Sequence, residues 1–276
     1  MTVLLDRLCF GEGPRVRDGQ LWLSDMHAQE VIRVSPEGVR ETVVSLPDDQ
    51  PSGLGWLPDG DLLIVGMSQR RLLRFDGTQL TEYADLSGLA RWHCNDMVVD
   101  RAGRAYVGNF GFDLHNQASP APAEIICVPG DADPFVAADA VMFPNGTVIS
   151  PDDSTLIVGE TFGGKLTAFD KHTDGTLHNR RTWAELPQGA LPDGICLDAA
   201  DGIWVASPTT NECIRLAEGG KVTHRITLDR GAFACMIGGD TLYVLTSHSS
   251  VPQECIDQRS ARVETFPAPF PAAGWP

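Results

Sequence analysis

Apolar and polar positions alternate with a period of two in short runs, and the runs recur along the chain. Six segments share one pattern, a turn bearing Asp or Gly followed by an alternating or β-rich stretch. They are DGQLWLSD (18–25), DGDLLIVG (59–66), AGRAYVGN (102–109), DDSTLIVGET (152–161), DGIWVASP (201–208) and GDTLYVLTS (239–247). Such runs predict strands, and no window sustains the i, i+3, i+4, i+7 spacing of an amphipathic helix. With Trp22, Leu63, Tyr106, Ile157, Trp204 and Tyr243 as equivalent positions, successive copies lie 41, 43, 51, 47 and 39 residues apart. A repeat of that length built from several strands predicts an all-β fold, the β-propeller.

Further strand-like pieces follow three of the copies: EVIRVSPEG, RRLLRFDGTQL and KLTAFDKHTDGT. Each unit therefore reads as a meander of four antiparallel strands. Six such blades around a central channel use the whole 276 residues as a single domain, at about 46 residues per blade. A propeller closes its ring by pairing an early with a late strand, which removes exposed edges. Residues 2–8 and 262–266 are the predicted pair, with 267–276 left as a Pro-rich C-terminal tail.

The formal net charge of −16 opposes binding to nucleic acid, which needs a basic face, and to anionic membrane surfaces. Apolar runs fall far short of the roughly 20 residues of a membrane helix, and MTVLLDRLCF lacks the basic start of a signal peptide. The expectation is a cytoplasmic protein, monomeric or weakly self-associating. Seven cysteines, an odd number with no C-x-x-C or C-x-x-H pair, predict reduced and mostly buried thiols.

The segments ahead of the six repeated strands are FGEGP, PSGLG, HCNDM, FPNGT, LPDGI and AFACM. Five carry one polar residue at an equivalent place: Glu12, Ser52, Asn95, Asn145 and Asp193. In a propeller these places meet at the channel. Glu12, Asn95, Asn145 and Asp193 form an all-oxygen set with two negative charges, and no Lys or Arg stands among them. That chemistry suits one hard divalent cation, Ca²⁺ before Mn²⁺ or Mg²⁺, and the lack of His and Cys disfavours Zn²⁺. Taken singly, Asn-Gly, Asp-Gly and Asn-Asp are turn dipeptides. Their common phase in the repeat favours the metal site.

These residues resemble a known family. Phe10-Gly-Glu-Gly-Pro14, Asn95-Asp96 with Val99-Asp100 and Gly103-Arg104, Phe143-Pro-Asn-Gly146 with Ser150-Pro-Asp-Asp153, Leu191-Pro-Asp-Gly194 with Asp198, and Arg262-Val-Glu-Thr-Phe266 are similar to motifs of the regucalcin/gluconolactonase (senescence-marker-protein) family. The likeness runs from residue 10 to about 266, and extends more distantly to diisopropyl-fluorophosphatase and paraoxonase. It implies a six-bladed propeller with one divalent cation, Zn²⁺ included among the choices, that hydrolyses lactones and sometimes phosphotriesters. It implies Glu12, Asn145 and Asp193 as metal ligands, Asn95 as a metal- or substrate-binding residue, and Asp193 as catalytic base.

The chain departs from the family pattern at His93, where sugar lactonases commonly carry Arg, and in the bulky Asn109-Phe110-Gly111-Phe112 that ends a strand. Both departures predict a lactone or ester less polar than a sugar lactone. His93 is a candidate for orienting substrate or moving a proton to the leaving alkoxide. His27, His248, Asn109, Phe110, Phe112 and Phe162 are candidates for the substrate wall. Two rival readings remain open at this level. One is a non-catalytic binding propeller with a structural cation. The other is a lyase or isomerase with His93 as its base.

Overall fold

Each repeat folds as one four-stranded antiparallel sheet, and six sheets surround a channel in the computed structural model, which describes residues 1–275. The innermost strands are Gly11–Arg17, Pro51–Trp56, Cys94–Val99, Pro144–Ile149, Ile195–Leu197 and Gly231–Gly238, in blades one to six. The repeated pattern forms the second strand of each blade, from Gln20–Asp25 in the first to Thr241–Ser247 in the sixth.

The repeat has a physical cause at each end. Apolar side chains of the second strands fill the layers between neighbouring blades. Trp22, Leu63, Tyr106, Ile157, Trp204 and Tyr243 each fall in a different one of six interblade apolar clusters. Burying one such side chain is worth about 1.5–3 kcal/mol. The preceding turns are held by Asp side chains. Asp100 accepts from the backbone of Ala102 and Arg104, both at 2.9 Å, and Asp198 from Ala200 and Gly202 at 3.0 and 3.1 Å.

The ring closes in the sixth blade, where Thr2–Leu8 pairs antiparallel with Ala261–Pro267 as the outermost strand. The expected early and late segments are thus joined, and neither is left as a bare edge. Residues 268–275 then cross the lower end of the channel. Ala268 donates to the carbonyl of Asp240, Ala199 to that of Pro271, Ala273 to that of Leu197, and Trp275 pairs with Ile149. Trp275 lies over a cavity of about 240 Å³ lined by Arg15, Arg17, Gly55, Trp56 and Val99. The Pro-rich segment is therefore bonded to three blades.

A seventh apolar cluster belongs to no blade pair. Phe10, Met26, Met67, Phe110, Phe112, Phe143 and Cys255 gather at the upper end, against the short helix Pro252–Gln258. All seven cysteines are free and buried. No helix among the described residues is long and apolar enough to cross a membrane.

Candidate metal and substrate site

The polar residues singled out in the sequence sit where the inner strands break their ladders. Pairing of first and second strands shifts register between Glu12 and Arg15, Pro51 and Leu54, Cys94 and Met97, Pro144 and Thr147, and Ala232 and Ala234. In blade five the regular ladder starts at Ile195. Ahead of it the Asp193 amide donates to the carbonyl of Ala206 at 2.9 Å, and the Ala206 amide to that of Gly194 at 3.0 Å. A bulge re-aims the side chain it carries. Glu12, Ser52, Asn95, Asn145 and Asp193 all fall in these breaks.

Glycine follows Ser52, Asn145 and Asp193 for want of space. A Cβ on Gly53 would stand 2.4 Å from the Met97 nitrogen, and one on Gly146 2.4 Å from the Ile195 nitrogen. The Asn-Gly and Asp-Gly pairs, which alone read as turns, are here the contacts between adjacent inner strands.

Glu12, Asn95 and Asn145 are buried and Asp193 is half-buried. Asn95 donates through Nδ2 to the carbonyl of Pro144 at 3.5 Å, and Asn145 through Nδ2 to Thr161 Oγ1 at 3.2 Å. With the amide nitrogens so engaged, neither amide oxygen accepts a hydrogen bond from the described residues. Glu12 Oε2 receives only the long contact from its neighbour Gly13 N, at 3.4 Å.

The two carboxylates act on each other although 180 residues of chain separate them. Burial, then the negative charges of Asp193 and Asp96, push the Glu12 carboxyl well above the usual range. Burial also pushes Asp193 up to about 8; the Asn145 amide opposes this and the charge of Asp96 adds to it. Buried carboxylates with free acceptor atoms and raised proton affinity are what a cation relieves. The donor set fits a hard divalent ion: two carboxylates and two amide oxygens from four blades. Among the described residues no three His, Cys, Asp or Glu side chains form a metal cluster.

Arg15, which the sequence reading passed over, is buried in the same channel. Its guanidinium donates to Asp96 Oδ1 at 3.1 Å and to the carbonyls of Met97 and Pro14 at 2.5 and 2.8 Å. A basic side chain therefore does stand beside the oxygen set, paired with a third carboxylate.

Above the oxygen set lies an aromatic wall. Phe110 stacks on Phe143 with ring centres 4.5 Å apart, and Phe112 and Phe162 each meet Phe143 edge-on or tilted at 5.9 and 5.4 Å. Phe162 is exposed and the other three are buried. His93 stacks on Trp92 at 5.3 Å and lies 6.0 Å from Phe110, and its buried Nδ1 has no partner among the described residues. Burial and the charge of His115 lower its proton affinity. His27 is buried against Phe10 at 5.5 Å and pairs through Nδ1 with Gln50 Nε2 at 3.4 Å; burial, then His115, brings it down to about 4.

Two other candidates are placed differently. Asn109 is fully buried with its amide committed to the blade: Nδ2 donates to Glu124 O at 3.0 Å and Oδ1 accepts from Gly111 N at 3.0 Å. It shapes the loop that carries Phe110 and Phe112. His248 is exposed and bonded through its backbone amide to Ser260 Oγ. Phe143, Trp92 and His115 complete the wall. Phe143 was in view in Phe-Pro-Asn-Gly, directly ahead of a candidate ligand.

Fold and site together define a six-bladed propeller with an oxygen-lined channel. Residues 10–248 match the SMP-30/gluconolactonase/LRE-like region, and the chain belongs to that family. It is 26% identical to regucalcin of Gallus gallus over 270 residues, 92% of this chain and 88% of that protein. It is 27% identical to the pentonolactonase XacC of Haloferax volcanii over 214 residues, 75% of this chain and 69% of that one. Its fold is that of the gluconolactonase from Xanthomonas campestris, with a TM-score of 0.79 and 24% identity over 97% of this chain and 89% of the other.

Proposed function

We propose that the protein is a metal-dependent hydrolase that opens a lactone, or a related ester, to a hydroxy acid. The observation that carries this reading is the common level of four oxygen side chains, at the ladder breaks of inner strands in four blades and with both amide oxygens free of donors among the described residues, in a family that includes lactonases. Glu12, Asn95, Asn145 and Asp193 would hold one divalent cation, with Ca²⁺ the best match to the donor set. When bound, the ion supplies Lewis-acid polarisation of the substrate carbonyl and stabilises the negative charge that grows on its oxygen.

The remaining chemistry falls to side chains. Asp193 accepts a proton from water as its oxygen attacks the carbonyl carbon, help worth about 10²–10⁴-fold. The acyl carbon–ring oxygen bond breaks, and the released alkoxide takes a proton. A role for His93 in orienting the substrate or passing that proton is supported by its position beside Phe110 and by burial, which lowers its proton affinity. Phe110, Phe112, Phe143 and Phe162 offer an apolar surface with few groups for sugar hydroxyls. This supports a substrate less polar than an aldonolactone.

The test is a panel of lactones of graded polarity, assayed with metal-stripped and metal-restored protein and with Asp193→Asn. Metal-dependent turnover that falls at least a hundredfold in the variant, with the fold retained, is expected. If no lactone or ester is opened by the wild type, and Asp193→Asn alters thermal stability alone, the channel is a structural plug. A strict preference for aldonolactones overturns the inference from the phenylalanines.

A further inference from the structure

Asp96 directly follows the candidate ligand Asn95 on the third inner strand, so a third carboxylate joins Glu12 and Asp193 in the channel, and its negative charge bears on both of them. A well carrying three negative charges is matched to a trivalent ion. One side chain changes that count. Arg15 stands three residues after Glu12 on the first inner strand and is only 4% exposed. It reaches from blade one to blade three, where it meets Asp96 Oδ1 at 3.1 Å and the Met97 carbonyl at 2.5 Å. Blade two lies between them and leaves room, because Ser52 and Gly53 are its residues at that level and Gly53 lies directly against Asp96 and Met97.

One oxygen of Asp96 is thereby engaged. Its Oδ1 accepts from Arg15 and from its own neighbour Met97 N at 2.8 Å. The guanidinium is held at three points, the third being the Pro14 carbonyl at 2.8 Å, so it cannot swing away as an ion enters. A planar, permanently charged fork suits this task.

We propose that Arg15 sets the charge of the ion the channel accepts: by pairing with Asp96 it reduces three channel carboxylates to a net −2 and matches the well to divalent over trivalent cations. This inference rests on the metal site proposed above. Arg15 is a positioning and ion-selecting residue, with no contact to substrate required.

Ca²⁺ and La³⁺ are both hard oxygen-seeking ions of similar size, so the ratio of their affinities reads charge more than fit. Binding of each by metal-stripped protein is measured by titration calorimetry. Wild type should bind Ca²⁺. In Arg15→Met the net charge becomes −3, and the La³⁺/Ca²⁺ affinity ratio should rise about tenfold or more. Arg15→Lys should stay near the wild-type ratio. Asp96→Asn, with net −1, should shift the ratio the other way. The double variant Arg15→Met/Asp96→Asn returns the count to −2 and should restore the wild-type ratio within about threefold.

A Ca²⁺-binding wild type whose ratio is the same in folded Arg15→Met overturns this inference and leaves the metal site standing. Failure of wild type to bind either ion overturns both. If Arg15→Met does not fold, Asp96→Asn and the double variant decide the matter: an unchanged ratio in Asp96→Asn sinks the proposal. A merely structural Arg15 would alter both affinities together and leave their ratio alone.

Discussion

Thr161 stands between two of the candidate ligands. Its Oγ1 accepts from Asn145 Nδ2 at 3.2 Å and donates to the carbonyl of Pro192, the residue before Asp193, at 2.8 Å. One hydroxyl thus fixes which way the Asn145 amide faces and anchors the segment that carries Asp193. Groups that orient a ligand typically govern metal affinity by 10–100-fold. Thr161→Val keeps the shape and removes both bonds, so Ca²⁺ affinity should fall about tenfold, with Thr161→Ser close to wild type. Calorimetric titration checks this, and equal affinity in Thr161→Val would show that the amide needs no such support.

The raised carboxyls give the ion-free protein a definite pH dependence. Asp193 is pushed up to about 8 and Glu12 well above its usual range, whereas both ionise near 4 in the unfolded chain. Between those limits the folded state binds more protons than the unfolded state, so the two groups lower stability as pH rises. A bound cation favours their ionised forms and removes that loss. The gain in melting temperature on adding Ca²⁺ to chelator-treated protein should therefore widen from about pH 5 to about pH 8. A gain that stays constant over this range would mean that Glu12 and Asp193 do not share an ion.

Phe110 is the wall residue with the closest aromatic contact, 4.5 Å from Phe143, and His93 lies on its other side at 6.0 Å. Phe110→Ala should raise KM for aryl or long-chain lactones by about tenfold, the value of one well-buried apolar contact. For polar lactones KM should hardly move. Parallel kinetics on one substrate of each kind read the difference, and equal losses on both would assign Phe110 to packing alone.

The fold was legible because one side chain per repeat packs between blades. Trp22, Leu63, Tyr106, Ile157, Trp204 and Tyr243 answer to the same steric need, so their spacing exposes the period. The phase of the oxygen residues was legible for a related reason: every inner strand breaks its ladder at the same level. Other features are invisible to spacing. Arg15 on an alternating strand reads as a solvent-facing charge, and only its contact with Asp96, 81 residues on, shows otherwise. Asn109 has the composition of a site residue but spends its amide on Glu124, a pairing set by how a long loop folds back. The Pro-rich tail lacks any strand pattern, and its place across the channel depends on backbone partners in three blades.

That tail makes the last prediction. Arg215 joins it to blade five: the guanidinium lies over the Phe270 ring at 4.6 Å and holds Asp198 through Nε at 2.5 Å and a terminal nitrogen at 2.8 Å. Both members of the pair are buried, and Arg215 holds the Asp198 carboxyl below its usual range against the cost of burial. Asp198 also caps the turn ahead of the repeated strand, and its backbone pairs with Ala272 of the tail. Removing one partner of a buried pair leaves an uncompensated charge and costs about 3–5 kcal/mol. Arg215→Met should lose about that much in urea unfolding, whereas Arg215→Met/Asp198→Asn should recover part of it. Because the Asp198 carboxyl is lowered by its partner, the stability it adds is present above about pH 4 and is lost as pH falls below that. The gap between wild type and Arg215→Met should accordingly close toward about pH 2. A gap unchanged by acid would place the loss in the Phe270 contact and the tail, not in the ion pair.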